Sequence, residues 1–239
     1  MRAILPAAGL GTRMKEATGG GSKELLLVGD LPVIARALAE AREAGATEIF
    51  VISAEEKHDL NDYLLSQGVK VLIQTSPIGL GPAVAQALDD EDCLVLLPDS
   101  FFFPQSPSPR LLAALKSKAE LAIAFRTVSD DLVSRYGIAQ MDEEGKLTGL
   151  IEKPKLEHAP SRWAVNGRYA FSAETSLWLK NWILEHEPKP GEPELPLTPA
   201  IQAALFAGFK GAVVKVKEDE VRFDCGSLEG YRHAQEVFR

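Results

Sequence analysis

The sequence predicts an α/β protein with a single-domain, doubly wound, mixed but mostly parallel sheet. First, short and almost continuously apolar runs alternate with helix-length amphipathic segments, a pattern typical of strands buried between helices. Second, several helical segments begin at a proline, the residue favoured in a first helical turn. Third, the alternation gives way to hairpin-like strands after about residue 136. Such sheets bind ligands at the carboxyl ends of their strands, so we expect the site in the loops that follow them.

The first half of the chain supplies the parallel strands. A helix is predicted over residues 32–44, with Pro32 at its first position and Gly45 ending it. Pro82 and Pro109 are expected to open two more helices. The apolar runs that predict buried strands are 3–5, 49–52, 69–73, 93–97 and 121–125.

The second half is predicted to be mixed. Residues 137–141 and 146–151 flank the turn DEEG and are typical of a hairpin. Thr198 is expected to cap a helix that has Pro199 at its first position. The remaining predicted elements are a strand at 165–171, a helix at 173–184, a proline-rich loop at 187–196, a strand pair within 212–223 and a terminal helix at 228–238.

Length and charge limit the function. The 239 residues, 46% hydrophobic and 25% charged, have ordinary globular composition, and we expect one domain over residues 1–239. There are 34 acidic and 26 basic residues, and the resulting net charge of -8 argues against a nucleic-acid partner. A few well-placed cations can still hold a nucleotide inside an acidic protein.

Cysteine use and hydropathy predict a cytoplasmic protein. Cys93 and Cys225 are too far apart in sequence for a disulfide framework or a metal-ligand cluster. The opening MRAILPAAGL is interpreted as a first strand, because GTRMK follows too soon for a signal peptide. No apolar run approaches the ~18 residues needed to cross a bilayer, so no membrane partner is expected.

The first loop, residues 6–26 (PAAGLGTRMKEATGGGSKELL) and here called the glycine loop, has the composition of a phosphate site. Its glycines would let backbone N–H groups approach phosphate oxygens, and Arg13 and Lys23 would add positive charge. The dinucleotide fingerprint fails at Met14, and the Walker pattern is absent. The competing interpretation is a surface loop with solvated charges.

The residues Gly9-Leu10-Gly11-Thr12-Arg13-Met14, followed by Lys23-Glu24-Leu25, resemble the signature of sugar-1-phosphate nucleotidylyltransferases. The uridylyl- and thymidylyltransferases acting on glucose 1-phosphate are the most similar branches. Further motifs occur in the family's order over residues 2–231. They are 74–81 (QTSPIGLG), 97–99 (LPD), 136–137 (YG), 152–154 (EKP), 165–169 (VNGRY) and 224–226 (DCG).

The resemblance implies a Rossmann-like nucleotidyltransferase fold with a sugar-binding hairpin region. Residues 1–135 would form the nucleotide-binding part and 136–239 the sugar-phosphate part. In the implied reaction, a sugar 1-phosphate attacks the α-phosphorus of UTP or dTTP, and an NDP-sugar and pyrophosphate are formed. Such a reaction depends on alignment and on neutralising phosphate oxygens.

The resemblance also assigns catalytic roles. Arg13 would contact the triphosphate with help from Lys23, and Lys153 would orient the sugar phosphate. Asp99 and Asp224 would hold the cofactor Mg²⁺. Without the resemblance, the two aspartates would be interpreted as turn or cap residues, and the segment IEKPK as an exposed strand end.

Binding residues follow from the same motifs. The Gln74 amide matches the imide edge shared by uracil and thymine, and Gly79 would let backbone approach the base. In the sugar pocket, Glu152 would accept hydrogen bonds from hydroxyl groups. The full nucleotide set is Ala7, Ala8, Gly9, Gly11, Thr12, Arg13, Gln74, Pro77 and Gly79, and the sugar-phosphate set is Gly137, Glu152, Lys153, Val165 and Glu194.

Departures from the family pattern leave alternatives open. Gly19, Gly20 and Gly21 replace bulkier residues, which predicts weaker triphosphate binding or a larger ordering cost. Leu31 replaces a lysine, and Pro199 replaces an acid. A noncatalytic sugar-nucleotide-binding regulatory homologue and a CTP-dependent cytidylyltransferase remain alternative functions. The choice of UTP or dTTP, the sugar and the oligomeric state stay open, with a homo-oligomer as one option.

Overall fold

The computed structural model describes residues 1–9, 11, 14–189 and 191–239. The chain divides into two compact units. The first comprises Met1–Pro77, Val95–Ser106 and Lys217–Arg239, and the second comprises Ile78–Leu94 and Pro107–Val216. The expectation of a single domain stays a prediction. No helix in the described ranges is both long and apolar enough to cross a membrane.

Parallel strands form the centre of the first unit. Strands β1 (Arg2–Pro6), β4 (Glu48–Ser53) and β5 (Lys70–Ile73) lie in the order β5-β4-β1 and pair in parallel. The middle residues of β1 are fully buried, as the apolar run predicts. Strand β6 (Cys93–Leu96) follows β1 in the strand order, and its last two residues belong to this unit.

Two antiparallel ladders complete this unit. One joins β2 (Leu27–Val28) to β3 (Leu31–Pro32), and the other joins β7 (Ser100–Pro104) to β13 (Glu220–Asp224). In the β7–β13 ladder Ser100 lies opposite Asp224, and the rings of Phe101 and Phe223 stack with centroids 5.1 Å apart. This ladder brings two distant parts of the sequence together.

The helices of the first unit are α1 (Lys15–Thr18), α2 (Val33–Glu43), α3 (His58–Ser66) and α8 (Leu228–Val237). Pro32 precedes α2 instead of opening it, because its backbone is still paired with Leu27 in the β2–β3 ladder. The Ser227 hydroxyl caps α8 by accepting a hydrogen bond from Gly230 N. A Cβ at Gly230 would lie 1.9 Å from Asp224 O, so only glycine fits there.

The second unit contains a mixed sheet in the order β11-β8-β12-β10-β9. The predicted hairpin is confirmed, since β9 pairs with β10 in antiparallel register. Strand β8 pairs antiparallel with β11 and parallel with β12. The strands are β8 (Leu121–Thr127), β9 (Gly137–Met141), β10 (Leu147–Glu152), β11 (Trp163–Phe171) and β12 (Gly211–Lys215), and the helices are α4 (Leu80–Ala85), α5 (Ser108–Lys116), α6 (Ala173–Glu185) and α7 (Leu197–Phe206).

Three of the expectations about strands and helices are wrong. The strands expected to pair within 212–223 have other partners, because β12 pairs with β8 and β13 pairs with β7. Thr198 does not cap α7, which begins at Leu197 after an extended Pro196. Pro82 is the third residue of α4 and does not open it.

Candidate active site

Two carboxylates of the first unit face the same small space. Asp99 lies in the loop between β6 and β7, and Asp224 ends β13. The Cys225 N–H donates to Asp99 O at 2.8 Å, which extends the β7–β13 ladder to these residues. A Cβ at Gly226 would lie 3.0 Å from Asp99 Oδ2 and 3.2 Å from Asp224 Oδ1. Gly226 therefore leaves open a space that both carboxylates line.

The side chain of Lys23 reaches Asp99. Lys23 begins a 3₁₀ turn (Lys23–Leu25), and its ammonium donates to Asp99 Oδ2 at 2.8 Å. Burial lowers the pKa of Lys23, but the charges of Asp99, Glu24 and Asp224 and the hydrogen bond to Asp99 outweigh burial, so the pKa is raised above its ordinary value. Lys23 is therefore a fixed positive charge at neutral pH.

Arg222 is the cation that pairs with Asp224. Its Nη1 donates to Asp224 Oδ2 at 2.8 Å, while Asp224 Oδ1 accepts from Gly226 N at 3.0 Å. The Arg222 side chain is only 9% exposed. No motif in the sequence marks Arg222, although its place two residues before Asp224 on the same strand puts both side chains on one face. Each aspartate thus has a cation that holds one carboxylate oxygen.

The carboxylate pair has the chemistry of a partial cation site. Within the described residues no group of three or more His, Cys, Asp or Glu could hold a metal ion by itself. Mg²⁺ typically binds one or two carboxylates and completes its shell with water and phosphate oxygens. The space over Gly226 and its two oxygen donors therefore fit Mg²⁺ shared with a phosphorylated ligand.

Gly11 lies next to Lys23. A Cβ at Gly11 would lie 3.3 Å from Lys23 Cδ, so the lysine side chain passes over Gly11. Ala7 and Ala8 are buried at the end of β1, and a Cβ at Gly9 would meet nothing within 4 Å. A pocket of about 380 Å³ opens here, lined by Gly11, Lys15, Gly20, Gly21, Lys23 and Lys57 among others. The predicted Thr12 and Arg13 lie outside the described residues, as does Leu10.

A buried ion pair that the sequence did not indicate includes the residue next to Lys23. Lys57 Nζ donates to Glu24 Oε2 at 2.9 Å and to Ala7 O at 2.6 Å, and both side chains are almost completely buried. In the sequence, the segment AEEKHD resembles an ordinary solvated loop. Only the fold shows that Lys57 contacts the residue next to Lys23.

The predicted base-binding residues divide between the units. Gln74 follows β5, and its backbone N–H donates to Ser53 O at 2.8 Å. Pro77 is exposed and is the last residue of the segment Met1–Pro77 in the first unit. Gly79, in the second unit, has φ +118°, and a Cβ there would lie 2.3 Å from Leu195 O. Glycine at position 79 is therefore required by the backbone of Leu195, and its role towards a base stays a prediction.

Within the second unit, several of the predicted sugar residues surround one space. A Cβ at Gly137 would lie 3.4 Å from Val165 Cγ2 and 3.5 Å from Glu152 Oε2. It would also lie 3.0 Å from the hydroxyl of Thr198, which sequence analysis treated only as a helix cap. These residues could present a carboxylate and a hydroxyl group to a small polar ligand.

Lys153 and Glu194 are the remaining residues of that set. Lys153 has φ +44°, donates its backbone N–H to Tyr136 O at 3.0 Å, and places its ammonium 3.3 Å from Glu152 Oε1. Its side chain is 59% exposed and can therefore meet an anion from solvent. Glu194 is exposed in the loop before α7.

Comparisons with known proteins agree with the motifs. The family model described as "Nucleotidyl transferase" matches residues 2–236. The UTP–glucose-1-phosphate uridylyltransferase of Haemophilus ducreyi is 30% identical over 98% of this chain and 91% of its own length. An enzyme of that name from Bacillus subtilis is 32% identical over 84% and 79% of the two lengths.

Solved structures show the same fold. A UDP-glucose pyrophosphorylase complexed with UDP-glucose superposes with a TM-score of 0.84 at 28% identity, over 99% of this chain and 97% of that one. UTP-bound UGPase from Acinetobacter baumannii superposes with a TM-score of 0.82 at 29% identity, over 99% of this chain and 92% of that one. The predicted Rossmann-like fold with a mixed sheet and the resemblance to sugar-1-phosphate nucleotidylyltransferases are confirmed.

Proposed function

Because the chain belongs to the nucleotidyl transferase family, we propose that it forms UDP-glucose and pyrophosphate from UTP and glucose 1-phosphate. The predicted enzyme class, a sugar-1-phosphate nucleotidylyltransferase, is confirmed by the comparisons. The names of the relatives favour UTP over dTTP or CTP, and favour an enzyme over a noncatalytic homologue. The observation that carries the proposal is the space over Gly226, which two carboxylates line and the Lys23 ammonium adjoins.

The chemistry requires alignment and charge neutralisation. An oxygen of the sugar phosphate attacks the α-phosphorus of UTP, a P–O bond forms to it, and the bond to the leaving pyrophosphate breaks. The Lys23 ammonium is fixed and protonated, so it can stabilise negative charge on the triphosphate without changing its protonation state. Arg13, by sequence position in the same loop, is proposed to do the same for the leaving group.

We propose Mg²⁺ as the cofactor and Asp99 and Asp224 as its protein ligands. Enzymes of this family generally use a divalent metal ion, and the donor set fits Mg²⁺. When bound, such an ion stabilises negative charge on phosphate oxygens. Arg222 holds Asp224 Oδ2 and so leaves Oδ1 facing the common space, whereas Lys23 holds Asp99 Oδ2, the oxygen that faces that space.

The remaining site residues are proposed as substrate contacts. Backbone groups of Ala7, Ala8, Gly9 and Gly11, with Thr12, are proposed to hold the triphosphate. Gln74, Pro77 and Gly79 are proposed to contact uracil. The sugar phosphate is assigned to Lys153, and the sugar hydroxyl groups to Gly137, Glu152, Val165 and Glu194 with the newly found Thr198, since four of these surround one space.

The compartment proposed is the cytoplasm. Both cysteines are buried and neither forms a disulfide, which suits a reducing environment. Cell fractionation with an antibody against the protein tests this assignment. A homo-oligomer stays a prediction, and sedimentation velocity on the purified protein tests it.

The decisive experiment measures pyrophosphate release from UTP, dTTP and CTP, each with a panel of sugar 1-phosphates and Mg²⁺. Release from UTP with glucose 1-phosphate supports the proposal, and no release from any pair contradicts it. The variant Asp224→Asn tests the metal assignment, with Asp219→Asn as a matched control on an exposed acid of the preceding turn. Full activity of Asp224→Asn at limiting Mg²⁺ would show that the assignment is wrong.

A further inference from the structure

We propose that the start of α3 is a positioning element for Lys23, in which Lys57 and Asp59 hold the residues on either side of it. This inference rests on the proposed function, because it gives the enzyme a device for placing the Lys23 ammonium. Neither Lys57 nor Asp59 belongs to the predicted substrate-binding or catalytic set. They are assigned as positioning residues that act through Lys23.

Lys57 holds the residue that follows Lys23. Its ammonium donates to Glu24 Oε2 at 2.9 Å, and Glu24 is only 1% exposed. The same ammonium donates to Ala7 O at 2.6 Å, at the end of the strand that leads into the glycine loop. Burying an ion pair removes two charges from water, which offsets much of their attraction, so stability alone explains such a pair poorly. What the pair does fix is the position of Glu24 relative to β1.

Asp59 holds the residue that precedes Lys23. Its Oδ2 accepts from Ser22 N at 2.8 Å, and its Oδ1 accepts from Ser22 Oγ at 2.6 Å and from Leu60 N at 2.8 Å. Burial raises the pKa of Asp59, but the hydrogen bonds from Ser22 and Leu60 outweigh burial and lower it. The carboxylate is therefore charged at neutral pH and accepts all three bonds.

The chain before Lys23 makes local hydrogen bonds from Gly20 N and Gly21 N to Thr18, but it is rich in glycine. Gly19 and Gly20 have φ of +58° and +100°, and a Cβ at either would meet nothing within 4 Å. Glycines lose much conformational freedom on ordering, so this run does not by itself select one position for the following turn. Lys57 and Asp59 supply that selection, and Lys23 Nζ then lies 2.8 Å from Asp99 Oδ2.

A double-mutant cycle tests whether Lys57 acts through Lys23. Lys57→Met is expected to lower kcat/KM for UTP by up to about 100-fold, because a small misplacement of a catalytic group has effects of that order. Lys23→Met should lower it at least as much. The combined variant should be within about twofold of Lys23→Met alone, because the two changes remove one effect. The proposal would be overturned if the loss of kcat/KM in the combined variant equalled the product of the losses in the two single variants.

A variant that removes both buried charges, those of Lys57 and Glu24, separates a loss of stability from a misplacement of Lys23. Lys57→Met alone leaves Glu24 buried without its cation, which is destabilising. Lys57→Met with Glu24→Leu should recover the unfolding temperature while kcat/KM stays low. Recovery of both would overturn the positioning role. Lys70→Met is the matched control, because it removes an ion pair with Glu48 in which the lysine side chain is more than half exposed. The kcat/KM of this variant should be unchanged.

A measurement that needs no turnover separates this inference from the proposed function. The Leu25 and Leu26 amides donate to Ser22 O and Lys23 O at 3.0 and 3.2 Å. Their hydrogen exchange should become at least about tenfold faster in Lys57→Met and in Asp59→Ala, but not in Lys70→Met. Unchanged exchange in both variants would overturn the positioning role even if the enzyme is active. Faster exchange in an inactive protein would contradict only the proposed function.

Discussion

Gly226→Ala adds a single methyl group to the space between the two carboxylates. Gly226 has a backbone conformation that other residues adopt, because its φ lies outside the left-handed region. The added Cβ would lie 3.0 Å from Asp99 Oδ2 and 3.2 Å from Asp224 Oδ1, which forces the carboxylates to move by a few tenths of an ångström. The substitution therefore perturbs the geometry of the site without straining the backbone.

The expected effect is on Mg²⁺ and much less on folding. Mg²⁺ demands near-ideal geometry, and ligand distances must hold to within about 0.2 Å, so the displacement exceeds the tolerance. We expect the Mg²⁺ concentration for half-maximal activity to rise at least about tenfold, equivalent to about 1.4 kcal/mol. The free energy of unfolding should change by less than about 1 kcal/mol, because alanine also restricts the unfolded chain.

The assay is pyrophosphate release titrated with Mg²⁺, accompanied by urea unfolding. Ser227→Ala is the control at the neighbouring position, because it removes the α8 cap and should lower the free energy of unfolding by about 1 kcal/mol without altering the Mg²⁺ titration. An unchanged titration in Gly226→Ala would refute the reasoning that both carboxylates bind one ion.

Three further outcomes are expected. Because the pKa of Lys23 is raised, its pair with Asp99 stabilises the fold fully at pH values below 10.5, the ordinary pKa of lysine, and this stabilisation is lost only as the pH rises through the raised pKa. The difference in free energy of unfolding between wild type and Lys23→Met, measured in urea, should therefore be the same at pH 7 and pH 9. Gly79→Ala should cost at least about 3 kcal/mol in urea unfolding, because it combines a positive φ with a backbone clash at Leu195; a smaller loss would show that the loop rearranges freely. Lys153→Met should raise KM for glucose 1-phosphate about tenfold or more and KM for UTP much less, and initial-rate kinetics would contradict the assignment if both rose alike.

Local patterns in the sequence predicted most of the elements. The hairpin of β9 and β10 was predicted from two segments that flank the turn DEEG, and α6 began where predicted. The pairing of β12 and β13 could not be predicted in this way, because strand partners are chosen by burial and register across the whole fold. Thr198 failed as a cap because Pro196 already holds the extended conformation before α7.

The candidate site was predicted where a motif carries its own chemistry. Asp99, Asp224 and Lys23 were each named from short motifs, and the structure brings them together. Arg222 and Lys57 were missed because their roles depend on contacts with residues whose positions only the fold determines. Lys57 in particular lies 33 residues after Glu24, and nothing in the intervening sequence marks the pair.

The burial of the thiols has a practical consequence for spectroscopy. Cys93 and Cys225 are both about 1% exposed, and burial, together with the charges of Asp224 and Asp99, raises the pKa of Cys225 to about 12. A buried and protonated thiol reacts slowly with maleimides. The natural chain is therefore a suitable background for introducing one surface cysteine, on the Lys15–Thr18 helix for example. A fluorophore attached there would report directly on the glycine loop when nucleotide is added.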